Sequence, residues 1–310
     1  MILKKDNEID QKLANFFQPE AIENIKYDSL GYLGMNITDC PANSIDFKIY
    51  YKSEYCVKNF KKYVNCNLLD KFGTEFGIKN FEIVQDKKNI NFSRYNIKLL
   101  SRENENMNKL FLFLSKNVPF FNKYKQEITQ QSTMRISDEP DLNFASLLIL
   151  GIIKHQNTVN KLKCYWLMQY RERPTEESDK YYLEFLQKNG NQNFKQLLPL
   201  VEKALTVCRA NLWLLGVDYN AESSEKHKIY FDSVKNLYEG LEQTLTEYTA
   251  IQQKLAKIKE WNEQHPEFYC ENFALGKDKN NNLTLNIYFK LKISKLNKLI
   301  EKLAQKKLSK

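Results

Sequence analysis

The feature that most constrains this chain is a two-part pattern that recurs along it: a Leu-Gly pair in an apolar run, a turn-forming stretch, then a β-branched and aromatic run. Leu33-Gly34-Met35-Asn36 precedes Asp46-Phe47-Lys48-Ile49-Tyr50-Tyr51, and Leu150-Gly151-Ile152-Ile153 precedes Lys163-Cys164-Tyr165-Trp166. Leu215-Gly216-Val217-Asp218 precedes Lys228-Ile229-Tyr230-Phe231, and Leu275-Gly276-Lys277-Asp278 precedes Asn286-Ile287-Tyr288-Phe289. Each unit reads as a β-hairpin, with turn chemistry at 156–160, 220–224 and 279–282. Internal repetition of this kind sets the architecture before any single residue does.

The hairpins recur about every 60 residues, with one gap of twice that length. The gap holds a weaker fifth hairpin, Phe81-Glu82-Ile83-Val84 followed by Asn91-Phe92-Ser93-Arg94-Tyr95-Asn96-Ile97-Lys98. Stretches with apolar residues at helical spacing fill 53–69, 104–129, 176–208 and 233–261, as in Leu241, Leu245, Tyr248, Ile251, Leu255 and Ile258. A further helix precedes the first hairpin and another, 295–308, follows the last. Asp218 closes its strand at a turn and reads as turn chemistry. The expectation is an α+β protein with one domain over 1–310: five ααββ repeats whose ten strands form an antiparallel β-barrel ringed by outer helices.

Side chains alternate between the two faces of a strand. Lys48 therefore shares a face with Tyr50, Lys163 with Tyr165, Lys228 with Tyr230 and Asn286 with Tyr288. The opposite face is apolar and needs cover, which the helices between hairpins supply. The Lys/Tyr face then points away from the helices. On an open sheet that face is merely solvated; in a closed barrel it lines a lumen. Ten strands favour closure, because closure removes exposed sheet edges and leaves an interior wide enough for a ligand. A single Lys-x-Tyr is ordinary strand composition; three in register, with Asn-x-Tyr at a fourth site, are not.

A lumen of ammonium groups and phenol rings suits one chemistry well. Ammonium groups bind a pyrophosphate and stabilise it as a leaving group. Tyr faces stabilise the allylic cation that forms and exclude water that would quench it.

Five ααββ units with Lys-x-Tyr on alternate strands resemble the aromatic prenyltransferases of the ABBA, or PT-barrel, type. The short length and the Leu-Gly-Val-Asp…Lys-Ile-Tyr-Phe hairpin are similar to the cyanobactin peptide prenyltransferases within that group. The resemblance implies transfer of a dimethylallyl or geranyl group from its pyrophosphate to a side chain of a ribosomal, cyclic peptide. It implies that Lys48, Lys163 and Lys228 bind the pyrophosphate and that Tyr50, Tyr165, Tyr230 and Tyr288 shield the prenyl chain. Two places depart from the family pattern. The second hairpin lacks Lys-x-Tyr and offers Arg94 or Lys98 instead, and Asn286 replaces the last Lys, with Lys290 on the same face. The family also places a carboxylate near the acceptor, and Asp46 is the candidate because it alternates onto the face of Lys48 and Tyr50.

The bulk properties bound these readings. The net charge of +9 favours anionic partners, although a general Lys and Asn bias accounts for about half of it. Six Cys without a C-x-x-C pair and three scattered His give no metal ligand set. The Asp-rich D-D-x-x-D motif of helical prenyl synthases is absent, which leaves Mg²⁺ only the role of an assisting counter-ion. No apolar run is long enough to span a bilayer, so a cytoplasmic monomer with reduced thiols is expected. Few residues remain to cap the barrel, which points to an open mouth and a peptide acceptor. A free aromatic small molecule is the alternative acceptor. A protein binding nucleic acid or another anion is the alternative of a different class: it would carry the same Lys and Tyr on an open face. The basic stretch 290–310 reads as a last outer helix rather than a membrane-surface helix.

Overall fold

The computed structural model describes residues 8–16, 30–41, 45–54, 75, 80–85, 94–98, 104–133, 146–155, 158–168, 175–232, 234–292, 295, 298, 299 and 302. The strands are β1 (Leu30–Thr38), β2 (Asp46–Glu54), β3 (Asn80–Gln85), β4 (Arg94–Lys98), β5 (Ser146–His155), β6 (Thr158–Leu167), β7 (Asn211–Asn220), β8 (Ser224–Asp232), β9 (Tyr269–Lys277) and β10 (Leu283–Lys292). Every neighbouring pair is antiparallel, and β1 pairs with β10, so the ring closes as a barrel. No described strand is left with an unpaired edge.

Helices run between the hairpins: α1 (Glu8–Phe16), α2 (Asn104–Asn117), α3 (Phe121–Thr133), α4 (Thr175–Asn189), α5 (Gln192–Lys195), α6 (Leu198–Cys208), α7 (Leu237–Thr244) and α8 (Thr249–Gln264). The helix expected over 53–69 begins inside β2, and its remaining residues lie outside the described ones. The stretch from 290 starts as the end of β10 rather than as a helix; Lys295, Lys298, Leu299 and Lys302 beyond it are helical, with Leu299 buried.

The strands' apolar faces point outward under these helices. Phe47, Ile49, Cys164, Trp166, Ile229, Phe231, Ile287 and Phe289 are buried in one cluster with helix residues such as Val201, Leu241, Ile251, Leu255 and Trp261. Phe231 and Phe273 stack with ring centroids 4.5 Å apart, and Trp261 stacks on Phe268 at 5.4 Å. Burying one such large side chain stabilises the fold by about 1.5–3 kcal/mol. The β9–β10 turn shows how local residues set register: the Asp278 carboxylate accepts from the backbone N–H of Asn280 and Asn282, both at 2.9 Å, and Asn281 takes φ 63°.

Candidate active site in the barrel lumen

The inward face forms a second cluster, separate from the wall core: Tyr50, Val84, Tyr165, Leu214, Tyr230, Ala274 and Tyr288. Its four tyrosines make a continuous belt. Ring centroids lie 5.8 Å apart for Tyr165–Tyr230, 6.0 Å for Tyr230–Tyr288 and 5.8 Å for Tyr50–Tyr288. Two of these contacts are edge-to-face, the favoured geometry for a ring quadrupole. Burial, then the neighbouring Tyr288, Tyr165 and Tyr50, hold the Tyr230 hydroxyl neutral far above its usual range. The Leu-Gly pairs of the sequence acquire a purpose here. A Cβ on Gly216 would sit 3.0 Å from the Tyr230 ring and 3.2 Å from Tyr165; one on Gly34 would sit 3.1 Å from Tyr50. Larger residues would displace the belt.

The lysines occupy one side of the belt. Lys163 and Lys228 are 7% and 8% exposed. Lys163 donates to the carboxylate of Asp218, its cross-strand partner on β7. Lys228 donates to Asn286 Oδ1 at 3.1 Å. Burial lowers the Lys228 pKa well below the usual lysine value; Lys48, Lys163 and Lys226 lower it further, and Asp218 opposes them. Four lysines from β2, β6 and β8 thus lie close enough to act on one another, with Asp218 the carboxylate that opposes them among the described residues. Two more donors face them. Asn286 Nδ2 and Thr284 Oγ1 are buried without a hydrogen-bond partner among the described residues. Glycines again make the room: a Cβ on Gly276 would lie 2.7 Å from Lys228 Cγ and 3.1 Å from Thr284 Oγ1, and one on Gly151 2.9 Å from Lys163 Cβ.

No family model matches the sequence, and no curated protein matches it. Solved structures do match. The prenyltransferase PriB, in a ternary complex with L-tryptophan and dimethylallyl thiolodiphosphate, is similar with a TM-score of 0.54 at 10% identity, over 93% of this chain and 96% of that one. AnaPT from Neosartorya fischeri is similar with a TM-score of 0.54 at 10% identity, over 84% and 77% of the two chains. The 5-dimethylallyl tryptophan synthase from Streptomyces coelicolor, in complex with DMASPP and Trp, gives 0.53 at 8% identity over 93% and 90%. This chain has the fold of these prenyltransferases.

On this barrel the residues singled out from sequence divide into groups. Lys48, Lys163, Lys228 and Asn286 come together at one end of the belt that Tyr50, Tyr165, Tyr230 and Tyr288 form. Arg94 and Lys98 lie in β4 opposite Ile153 and Ile149, but their side chains are outside the described residues. Between them Asn96 is buried, facing Gly151. Lys290 does not join the lysine cluster. Along β10 the order is Asn286, Tyr288, Lys290, so Lys290 falls beyond the belt, where its ammonium bonds Glu271 at 2.8 Å. Asp46 is exposed at the start of β2, outside Lys48 and near enough to Lys254 of α8 to affect it.

Asp218 corrects the sequence reading. It is not turn chemistry: β7 continues to Asn220, and Asp218 is 5% exposed and paired with Lys163. Thr284 was also missed. The alternation of β10 puts Thr284 on the face of Asn286 and Tyr288, and that signal was available; only barrel closure reveals that the face meets Lys228. Among the described residues no cluster of His, Cys, Asp and Glu could hold a metal, and no helix is long and apolar enough to cross a membrane.

Proposed function

We propose that this protein transfers a dimethylallyl-type group from its pyrophosphate to a small aromatic acceptor. One observation carries the reading: lysines from three strands converge inside a closed barrel on one side of an unbroken tyrosine belt. A pyrophosphate carries several charges, and Lys228, whose side-chain hydrogen bond among the described residues goes to the neutral amide of Asn286, gains a counter-charge from such an anion beyond the distant help of Asp218. Thr284 and Asn286 Nδ2 offer two further hydrogen bonds to phosphate oxygens. Lys48 and Lys163 complete the charge match. Asp46, exposed on β2 opposite Asn36, is given no step in this reading.

The step follows from this placement. The C1–O bond of the allylic pyrophosphate breaks, and its electron pair leaves with the pyrophosphate that the lysines hold. The tyrosine rings face the resulting allylic cation and exclude water. A π pair of the acceptor ring forms the new bond to the allylic carbon, and the displaced ring proton passes to a pyrophosphate oxygen. A small aromatic acceptor has more support than the peptide expected from chain length, since solved structures with this fold are held with tryptophan and with brevianamide F beside a dimethylallyl pyrophosphate analogue. The same complexes favour a dimethylallyl donor over a geranyl one.

The test is incubation with dimethylallyl and geranyl pyrophosphate against indole, L-tryptophan, a naphthol and a set of cyclic peptides, read by mass spectrometry. Transfer to the aromatic small molecules is expected. Transfer to peptides alone would restore the peptide reading, and tight oligonucleotide binding without pyrophosphate release would move the protein to another class. Because the lysines already neutralise the leaving group, turnover in EDTA is expected to stay within about tenfold of that with Mg²⁺.

A further inference from the structure

The lumen has a second end. Past the lysines, half-buried Tyr32, Ile149, Leu167 and Trp213 pack against the belt cluster, Tyr32 and Ile149 in register with Tyr50 and Tyr165, and Leu167 and Trp213 further along β6 and β7. Trp213 reaches this position through an irregularity. Leu212 pairs with Phe231 and joins the wall core, while Leu214 pairs with Tyr230 and joins the lumen cluster. The register of β7 against β8 therefore shifts by one residue between them, and Trp213 is the extra one. A bulge of this kind turns a side chain that strict alternation would assign elsewhere, and bulges recur beside binding sites. Here it sets two consecutive side chains, Trp213 and Leu214, against the same inner cluster.

Tyr32 stands on β1 and Trp213 on β7, four strands apart in the closed ring through β10, β9 and β8, and so on nearly opposite walls. Tyr32 is the cross-strand neighbour of Tyr50 on one side and Lys290 on the other, which places it just past the belt. The chemistry requires something at this end. If the pyrophosphate leaves toward the lysines, the incoming nucleophile approaches the allylic carbon from the side away from them.

We propose that Tyr32 and Trp213 are the aromatic walls of the acceptor subsite, and that they hold a flat aromatic ring system with its reactive carbon at the tyrosine belt. This rests on the prenyl-transfer reading above. Leu167 and Ile149 extend the apolar wall beside Trp213, and the π faces of Tyr32 and Trp213 select planarity rather than a particular hydrogen-bond pattern. The pair act on acceptor choice and not on the donor.

The experiment compares Trp213→Ala, Tyr32→Ala and the conservative Trp213→Phe with the wild type. Dimethylallyl pyrophosphate is the donor, and indole, L-tryptophan and 2-naphthol are the acceptors. Pyrophosphate release is followed with and without acceptor, alongside the transferred product. For both alanine variants the ratio of acceptor KM to donor KM is expected to rise at least tenfold, with more donor hydrolysed per transfer. Trp213→Phe is expected to restore most of the wild-type ratio, which separates ring loss from misfolding. Unchanged acceptor-to-donor KM ratios in both alanine variants would overturn the subsite while leaving prenyl transfer intact. Pyrophosphate release by the wild type with transfer to none of the three rings would also overturn it. A wild type that neither releases pyrophosphate nor transfers would remove the underlying reading itself.

Discussion

The two ends of the lumen differ in kind. On one side of the tyrosine belt stand Lys48, Lys163, Lys226 and Lys228 with Asp218, Thr284 and Asn286; toward the other stand Tyr32, Ile149, Leu167 and Trp213, with Lys290 already neutralised by Glu271. The charged end is built by repetition, since β2, β6 and β8 each deliver a lysine two residues before a tyrosine. The aromatic end is assembled from unrelated positions, one of them a bulge. Repetition suits a charged ligand of constant shape, whereas one-off residues suit a variable partner. On the proposed function, the contrast sets a donor half built from a repeated motif against an acceptor half built from positions that do not repeat.

Removing a lysine should break this contrast most visibly. Lys163→Ala or Lys228→Ala is expected to slow transfer by about 10²–10³-fold, as loss of a preorganised transition-state donor does elsewhere. Single-turnover kinetics with dimethylallyl pyrophosphate would check it, and near-normal rates in both variants would leave the charged end without a function. Next in size is the belt. Tyr230 touches both Tyr165 and Tyr288, so Tyr230→Leu opens the middle of it. Loss of about 1–2 kcal/mol of cation stabilisation predicts a roughly tenfold slower transfer and more hydrolysis in the product mixture.

A smaller change sharpens the comparison by moving the belt rather than cutting it. Gly216→Ala sets a methyl 3.0 Å from Tyr230 and 3.2 Å from Tyr165, which pushes both rings inward. The ratio of kcat/KM for geranyl over dimethylallyl pyrophosphate should fall several-fold. The smallest effect is on stability. Lys228 is held well below the usual lysine value by burial, so the unfolded chain keeps a proton that the folded chain loses between that lowered value and the ordinary one. Stability of the empty barrel therefore rises with pH across that window, and the full cost is carried below it. Lys228→Met should raise Tm at neutral pH, with a gain that shrinks toward pH 10. Inorganic pyrophosphate should raise Tm of the wild type more than that of the variant.

Much of the charged end was legible in the chain because period-two alternation is local. Lys163 and Tyr165 share a face wherever the strand lies, and the apolar residues between them show which face is covered. Asp218 was misread because Asp before a turn is common, and burial beside Lys163 depends on pairing between β6 and β7. Lys290 was placed with the lysines because alternation gives a face but not a depth. On β10 the charge follows the tyrosine instead of preceding it, and that difference moves it to the other end of the lumen.

What the sequence alone determined is thus the hairpin repeat, the covered face and the chemical character of the opposite one. Those rest on contacts between residues two apart, or on one turn. What only the tertiary structure decided is convergence: that lysines from three strands meet, that Thr284 and Asn286 face them, and that Trp213 stands across the lumen from Tyr32. Convergence depends on closing β1 against β10, and the placement of Trp213 on the register shift between Leu212 and Leu214. Both are agreements between strands far apart in the chain, and no local pattern encodes them.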